Sequence, residues 1–304
     1  MKYTNRHGLP PQIVSAIVKD RYSSEDDLPS DYSVTTLISP IQQTILRRRF
    51  PDKRAIPDVM DLFWSFKGAV GHTVLEDAWN ASQKSRIEER LYTEIQGKTI
   101  SGKFDCYDIE NKEIVDFKFT KVYKFIKQDF VEWEKQLNLY AHLLRKAGHE
   151  VNKLTIWMFL EDYKENESFK KGYPSNPIVS IDLKLWTEIE CCSWLNDRVS
   201  ELIKAEASDI LPECSPREMW QDIKDYAIMK DGASRATKCF DSKEEAEACL
   251  EDEPKYKKGY SVQERLTDRK RCAKHCDVSK ICRQYQNYLK EKGEWIDPEE
   301  RVIF

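Results

Sequence analysis

The sequence predicts an α/β fold in which a mixed central sheet is flanked by helices and followed by a C-terminal, cysteine-rich, metal-binding unit. Three observations support this prediction. Segments of helical period alternate with short strand-like runs in the order α-β-β-β-α-β-α, an alternation typical of a sheet covered by helices. The chain has 304 residues, 40% of them hydrophobic and 34% charged, so it can bury a large core. Six of its nine cysteines lie in the last third.

Composition excludes several classes of function. A net charge of -4 argues against a uniformly basic nucleic-acid-binding protein, although a local basic patch is compatible with it. No apolar run is long enough to span a bilayer, and the N-terminus lacks the apolar core of a secretory signal. We therefore expect a cytoplasmic protein with no membrane partner, in the host cell if the protein is phage-encoded. In that reducing compartment, clustered cysteines are metal ligands or buried residues rather than disulfides.

Composition shifts along the chain predict three regions. Residues 1–32 are polar and are expected to form an N-terminal lead-in with one short helix. Residues 33–208 are predicted to form the core domain. The breaker-rich segment ASDILPECSP ends this domain, and residues 209–304 form the cysteine-rich unit.

The core is predicted to begin with a helix in DYSVTTLISPIQQTILRRRF, where Ser33 or Thr35 precedes the apolar run as an N-cap does. The next segment, DLFWSFKGAVGHTVLEDAWNAS, has the pattern of a strongly apolar helix and contains Gly68 and Gly71. A helical glycine costs about 1 kcal/mol relative to alanine. We therefore expect another element to approach this helix closely.

The pattern changes from helical to alternating over residues 91–120. This change predicts strands in LYTEIQGKTISGKFDCYDI and EIVDFKFT, joined by the turn ENK. The amphipathic helix QDFVEWEKQLNLYAHLLRKAGHE follows and ends at Gly148. KLTIWMFLE and NPIVSIDLK are two further predicted strands, and LWTEIECCSWLNDRVSELIKAE is the closing helix.

The hairpin around residues 101–120 carries the residues of a hydrolytic site. Asp105 is predicted to end one strand, whereas Asp116 and Lys118 share one face of the next, with Phe117 pointing to the opposite layer. Hydrolysis of a phosphodiester bond needs a divalent metal held by carboxylates and a cation near the developing charge. An Asp-x-Lys triplet by itself also occurs in surface hairpins, so its neighbours matter.

Two pairs of helical residues flank this hairpin. GAVGHTVLED places His72 and Glu76 four residues apart, and QLNLY does the same for Gln136 and Tyr140, so each pair shares a helix face. In order and spacing, the set resembles the PD-(D/E)xK nuclease superfamily, in its RecB-type branch, over residues 68–140. The resemblance implies a restriction-endonuclease-like core.

The resemblance also implies a role for each residue of the set. His72, Asp105, Asp116 and the backbone carbonyl of Phe117 would bind Mg²⁺ or Mn²⁺. Lys118 would position the attacking water.

Three helical residues have a second interpretation. Gln136 and Tyr140 would contact DNA or brace the site by the resemblance, while Glu76 is expected to be structural. Taken alone, His72 would be a core histidine, Tyr140 a core aromatic residue and Gln136 a solvated helix residue.

A basic segment follows the Asp-x-Lys strand. Lys121, Lys124 and Lys127 alternate with Tyr123 and Phe125. Lysines can neutralise phosphates, and aromatic rings can stack on unpaired bases. The segment is therefore a candidate DNA contact, with a solvated loop as the equal alternative.

The C-terminal cysteines have the spacing of a metal site. RCAKHCDVSKIC arranges Cys272, Cys276 and Cys282 as C-x3-C-x5-C, and Cys214 lies between two prolines in LPECSP. Four thiolates suit either Zn²⁺ or an iron–sulfur cluster. The segment is polar and offers no apolar core for its cysteines, which favours a metal.

Similarity to known nucleases extends to this unit, with one departure. AddB-type nucleases and the CRISPR-associated exonucleases carry an iron–sulfur cluster bound by one cysteine upstream of the core, before a proline, and three at the C-terminus. Here Ser39 stands at the upstream position. Cys214 is the predicted replacement, with His275 and Cys239 as weaker ones. We expect a structural [4Fe–4S] cluster, with Zn²⁺ as the alternative.

The other cysteines are predicted to lie in the core. Cys191 and Cys192 belong to the closing helix. Cys106 follows Asp105 and should face the opposite side of its strand, away from the site.

These patterns together predict a metal-dependent deoxyribonuclease, with an exonuclease acting on DNA ends or single strands implied by the resemblance. Recombination, repair or phage DNA processing, with other recombination proteins as partners, is the implied setting. The alternatives are a catalytically weak DNA-binding or adaptor module of a larger complex, and a metal-stabilised interaction protein whose nuclease-like motifs are accidental.

Overall fold

The structure is a computed structural model that describes residues 2–19, 27–80, 84–256 and 258–294. The chain forms two units. The first comprises Met1–Ser39 with Ile56–Asp209, and the second comprises Pro40–Ala55 with Ile210–Phe304. In these ranges no helix is both long enough and apolar enough to cross a membrane.

The elements are numbered in chain order. The helices are α1 (Pro11–Val18), α2 (Val34–Ile38), α3 (Ile41–Arg49), α4 (Phe63–Asn80), α5 (Val122–Lys127), α6 (Val131–Lys146), α7 (Glu188–Ala207), α8 (Lys243–Asp252), α9 (Lys270–Lys274) and α10 (Arg283–Lys292). The strands are β1 (Tyr32–Ser33), β2 (Ser85–Ile87), β3 (Arg90–Ile95), β4 (Lys98–Lys103), β5 (Cys106–Asp108), β6 (Glu113–Thr120), β7 (Lys153–Leu160), β8 (Ile178–Asp182), β9 (Ile223–Lys230), β10 (Ala236–Phe240) and β11 (Tyr260–Leu266).

The central sheet of the first unit is mixed, as predicted. Its five strands have the order β2-β5-β6-β7-β8. The β6–β7 pair is parallel, whereas the β2–β5, β5–β6 and β7–β8 pairs are antiparallel. The β6 strand is buried from Ile114 to Phe117, since α4 and α6 both contact it. The prediction of an α/β protein with helices flanking a mixed sheet is therefore confirmed.

A second sheet in this unit has the strand order β1-β4-β3. The chain leaves it after β4 and enters the central sheet at β5, passing through Phe104 and Asp105. The sequence predicted one strand ending at Asp105. The structure instead places Asp105 in the bend between two strands of different sheets.

The predicted helix over DYSVTTLISPIQQTILRRRF is broken into α2 and α3 at Ser39 and Pro40. Proline lacks the N–H that would continue the helical ladder, and the residue before it disfavours helical geometry. Ser33 does cap α2, because its Oγ accepts a 3.1 Å hydrogen bond from Thr36 N.

The break at Pro40 also marks a change of unit. The segment 40–55 groups with the C-terminal residues, whereas the predicted core range 33–208 included it. The guanidinium groups of Arg47 and Arg54 lie 2.7 and 2.6 Å from the Asp277 carboxylate. Ala55 N also donates a 2.7 Å hydrogen bond to Asp277 O. The second unit further contains the antiparallel sheet β10-β9-β11 with α8 against it.

The expected close approach to the glycine-containing helix occurs at Gly71 and not at Gly68. A methyl group at Gly71 would lie 2.1 Å from Cζ of Phe119 on β6, whereas one at Gly68 would meet nothing within 4 Å. The Phe119 ring is stacked on Phe159 with centroids 4.8 Å apart. It therefore has little freedom to move aside.

These two glycines give a matched pair of stability measurements. Gly71→Ala is expected to lower the free energy of unfolding by about 1–3 kcal/mol through overpacking. Gly68→Ala should raise it by up to about 1 kcal/mol through helix propensity. Urea denaturation of both variants measures the difference. Equal stability of the two variants would show that α4 does not rest on Phe119.

Candidate active site

The predicted hairpin places an acid and a lysine side by side on β6. Asp116 is only 1% exposed, and Lys118 lies two residues further on the same face. Lys118 Nζ is 2.6 Å from Asp116 Oδ2. This pair faces α6, while the intervening Phe117 packs with Cys106 and Trp79 on the other side of the sheet. The alternation expected from the sequence thus holds for Asp116, Phe117 and Lys118.

Asp105 and His72 complete the group from two other elements. Asp105 Oδ2 accepts a 3.0 Å hydrogen bond from Phe117 N, which fixes the carboxylate beside β6. His72 Nδ1 on α4 lies 3.3 Å from the same Asp105 oxygen. Gly71 on α4 allows this approach, because a glycine has no side chain that would hold α4 away from Phe119 on β6. The structure therefore brings together all three side chains predicted as metal ligands.

Gln136 and Tyr140 extend the group along α6. Lys118 Nζ donates a 3.3 Å hydrogen bond to Gln136 Oε1, and Gln136 Nε2 donates a 3.0 Å hydrogen bond to Tyr140 Oη. Tyr140 is only 3% exposed, so its ring offers almost no surface for stacking on a base. Of the two roles predicted for Tyr140, bracing the lysine through Gln136 fits this burial and DNA contact does not.

A cavity of about 660 Å³ is lined by His72, Asp105, Lys118, Gln136 and Tyr140. Glu88 and Lys103, which the sequence analysis did not single out, also line it and form an ion pair. Glu88 follows β2 in a turn, at a φ of 50°, and turn residues carry no periodic signal. The Glu76 carboxylate, expected to be structural, also lies in the cavity. One ligand atom from each of His72, Glu76 and Glu88 lies within 4.8 Å of the others.

The cavity shifts the proton affinities of its residues. Burial, and then the Asp116 carboxylate, raise the pKa of Asp105 well above its usual value. Burial and the nearby Glu88 raise the pKa of Glu76 to about 7. Burial lowers the pKa of His72, although the Asp116 carboxylate opposes this. Burial is the largest cause of all three shifts, and neighbouring carboxylates add to it for Asp105 and Glu76.

The Lys118 ammonium group experiences two opposing influences. Burial acts to lower the pKa of Lys118, but the carboxylates of Asp116 and Asp105 outweigh it and leave the pKa raised. Lys118 is therefore held as a cation beside the two acids.

The donor set fits a hard divalent cation. Asp116 Oδ1 is buried and makes no hydrogen bond within the described ranges of the chain, and a buried carboxylate oxygen without a partner is costly. Asp105 and His72 present an oxygen and a nitrogen beside it. Oxygen-rich sites of this kind suit Mg²⁺ or Mn²⁺.

The basic segment after β6 forms the short helix α5 rather than a loop. Lys121 precedes the helix and is exposed, and 63% of Tyr123 is accessible. Lys127 Nζ lies 5.8 Å from the Tyr123 ring centroid, and Lys124 Nζ lies 4.8 Å from that of Trp133. The segment thus presents cations together with exposed aromatic surface.

The four predicted cysteine ligands form one cluster in the second unit. A small cavity of about 20 Å³ is lined by Cys214, Cys272, Cys276 and Cys282. Burial, together with the neighbouring acid and thiols, raises the pKa of Cys214 to about 12.

Two glutamines of α3, missed by the sequence analysis, complete this cluster. Cys282 Sγ and Cys214 Sγ lie 3.1 and 3.6 Å from Gln42 Oε1. Gln43 Nε2 donates to Cys276 Sγ over 3.6 Å. The two consecutive glutamines between the apolar residues of IQQTIL were the available sequence signal.

The remaining cysteines lie elsewhere. Cys106 is fully buried beside Phe117 and Cys191 is 1% exposed, as predicted. Cys192 is only partly buried, so its assignment to the core was wrong. It lies at the edge of α7, beside the carboxylate of Glu188. Cys239 is exposed and its Sγ lies beside Arg265.

No family model matches the chain, and no curated protein matches it. Among solved structures, SSO0001 aligns at a TM-score of 0.44 and 13% identity over 62% of this chain and 84% of its own. A phage-related exonuclease from Haemophilus somnus 129PT aligns at a TM-score of 0.35 and 15% identity over 68% of this chain and 97% of its own. These similarities are too low to indicate an activity, so function has to be inferred from the site.

Proposed function

We propose that this protein is a metal-dependent DNA nuclease of the PD-(D/E)xK type, with Asp116 at the centre of its active site. The observation that carries the proposal is the buried Asp116 carboxylate, which has one oxygen beside Lys118 Nζ at 2.6 Å and the other without a hydrogen-bond partner in the described residues. An isolated ion pair would not leave a buried acceptor open. A bound cation would satisfy it.

Asp116, Asp105 and His72 would hold Mg²⁺ or Mn²⁺, with the Phe117 carbonyl as the further ligand implied by the resemblance. When bound, the metal supplies charge to polarise the phosphate and to lower the pKa of a water molecule. The order of the elements supports this assignment, because a bend, a strand and a helix bring the three side chains together, and two of them, Asp105 and His72, line the cavity.

Lys118 and its helix partners have a positioning role in this proposal. The ammonium group is held between Asp116 Oδ2 and Gln136 Oε1, and Tyr140 holds Gln136 in turn. A cation fixed in this way orients a water molecule and offsets negative charge on the phosphate. Glu76 and Glu88 add negative charge at the same cavity.

We further propose that the enzyme is an exonuclease acting on DNA ends or single strands. A cavity of about 660 Å³ is of the size that encloses a small ligand. It suits the end of one strand better than an intact duplex. Lys121 and Lys124, at the start of α5, would contact the phosphates.

The cysteine cluster is proposed to hold a structural metal, either a [4Fe–4S] cluster or Zn²⁺. All four thiols line one cavity, and phosphodiester hydrolysis requires no electron transfer. A reducing, cytoplasmic location belongs to this proposal because it keeps the thiols available. Recombination, repair or phage DNA processing is the proposed setting, in concert with other recombination proteins.

Linear and covalently closed DNA distinguish the possible activities. With Mg²⁺ or Mn²⁺ we expect linear single- or double-stranded DNA to be degraded and closed circles to persist, because only linear DNA offers an end. EDTA should stop degradation. Cleaved circles would identify an endonuclease. Binding of DNA without cleavage under either metal would favour the adaptor alternative instead.

A further inference from the structure

A buried histidine away from the nuclease cavity lacks hydrogen bonds. His142 on α6 is 1% exposed. Neither of its ring nitrogens makes a hydrogen bond of acceptable geometry within the part of the chain that the structure describes. A neutral imidazole carries one donor and one acceptor, and leaving both buried without partners is costly. A core histidine with no other role would be expected to satisfy at least one of them.

Two further ligand groups face this ring from α7. Glu188 and Cys192 are four residues apart and therefore lie on one helix face. His142 Nδ1 lies 3.3 Å from Glu188 Oε1, and Cys192 Sγ lies 3.6 Å from the same oxygen. One ligand atom from each of the three residues lies within 4.8 Å of the other two.

Two of the three separations match those of a tetrahedral zinc site. Zinc binds oxygen and nitrogen at about 2.0 Å and sulfur at about 2.3 Å. Tetrahedral angles then hold a nitrogen and an oxygen ligand about 3.3 Å apart, and an oxygen and a sulfur ligand about 3.5 Å apart. The observed 3.3 and 3.6 Å fit both edges. Imidazole, carboxylate and thiolate are also the ligands that zinc prefers.

The competing interpretation is an ion-pair network without a metal. Lys146 Nζ lies 3.2 Å from Glu188 Oε1, and Arg145 Nη1 lies 3.8 Å from Glu188 Oε2. Such a network accounts for Glu188 and places its carboxylate 3.3 Å from His142 Nδ1, but it leaves the buried Nε2 without a partner in the described residues. The Lys146 side chain is 50% exposed, so it can turn into solvent when a metal takes its place at Oε1, while Arg145 keeps the other oxygen.

We propose that His142, Glu188 and Cys192 bind one Zn²⁺ ion between α6 and α7. Glu188 has a side chain that is 43% exposed, so the site opens to solvent and a water molecule can be the fourth ligand. The ion would join the C-terminal part of α6 to the first turns of α7. Gln136 and Tyr140 precede His142 on α6, so the ion would also steady the helix that braces Lys118.

Site-resolved alkylation tests this proposal without relying on nuclease activity. Protein purified with its cysteine cluster loaded is treated with iodoacetamide, either after brief exposure to EDTA or with added Zn²⁺, and the labelling rate of each cysteine is measured by peptide mass spectrometry. Zinc is expected to slow labelling of Cys192 by at least about tenfold, because a metal-bound thiolate is a poor nucleophile. Cys239, which is exposed, serves as the internal reference.

Two variants decide whether the protection comes from this site. Glu188→Gln should remove the protection of Cys192, and so should His142→Asn. Glu201→Gln, the same change at an exposed ion pair further along α7, should keep it. Because Glu188 lies at the surface, its variant is informative even if His142→Asn fails to fold. Unchanged labelling of Cys192 with zinc, or equal protection in Glu188→Gln, would overturn the proposal.

Discussion

Asp116→Asn is expected to lower the rate of DNA cleavage by at least about a thousandfold while leaving the fold intact. The substitution keeps the shape of the side chain but removes the charge that holds a metal, and loss of a single electrostatic contribution alone typically costs about 10²–10³ in rate. Asp116 is 1% exposed, and the Asp105 carboxylate remains close enough to Lys118 to balance its charge, so the fold should be retained.

Lys118→Ala separates metal binding from the chemical step. The lysine touches Asp116 and Gln136 but is not a predicted ligand, so this variant should cleave about 10²–10³ times more slowly yet still bind Mn²⁺. Asp116→Asn should lose both DNA cleavage and Mn²⁺ binding. Asp197→Asn, at an exposed position on α7, is the matched control and should behave as wild type. Equal Mn²⁺ affinity in wild type and Asp116→Asn would remove Asp116 from the ligand set.

Cys276→Ser is expected to remove one metal centre per chain and to destabilise the second unit strongly. Its thiol shares a cavity with three other cysteines and accepts a hydrogen bond from Gln43. Metal binding to a structural site contributes on the order of 10 kcal/mol to folding, so its loss should greatly reduce soluble yield.

Metal analysis and visible absorbance of anaerobically purified protein measure this effect and distinguish iron from zinc. Cys249→Ser is the control, because Cys249 belongs to the same unit and is partly buried but does not line the cavity. A Cys276→Ser protein with unchanged metal content would refute the proposed ligand set.

The sequence predicted those site residues whose relative positions follow from the regular repeat of a strand or a helix. Asp116 and Lys118 lie on one face because a strand alternates, and Gln136 lies beside Tyr140 because a helix repeats. The position of Asp105 was only partly predictable. Asp105 reaches the site because the chain passes from one sheet to the other at that residue. No local sequence pattern indicates such a change.

Residues that reach a site through long-range packing escaped prediction. Glu88 enters the cavity from a turn, and Gln42 and Gln43 reach the cysteines from a helix more than 160 residues earlier in the chain. Cys192 was assigned to the core because it belongs to an amphipathic helix. Its partly buried position depends on where α7 begins, and the capping box of Thr187 and Glu190 sets that start.

The most direct test of the account is the rate at which end-labelled linear DNA is cleaved as Mn²⁺ is titrated, measured for wild type and Asp116→Asn prepared in parallel. We expect a wild-type rate that rises from zero to saturation and is abolished by EDTA, and a rate for Asp116→Asn that stays at background throughout. Cleavage by Asp116→Asn at the wild-type rate, or no cleavage by wild type at any Mn²⁺ concentration, would contradict it.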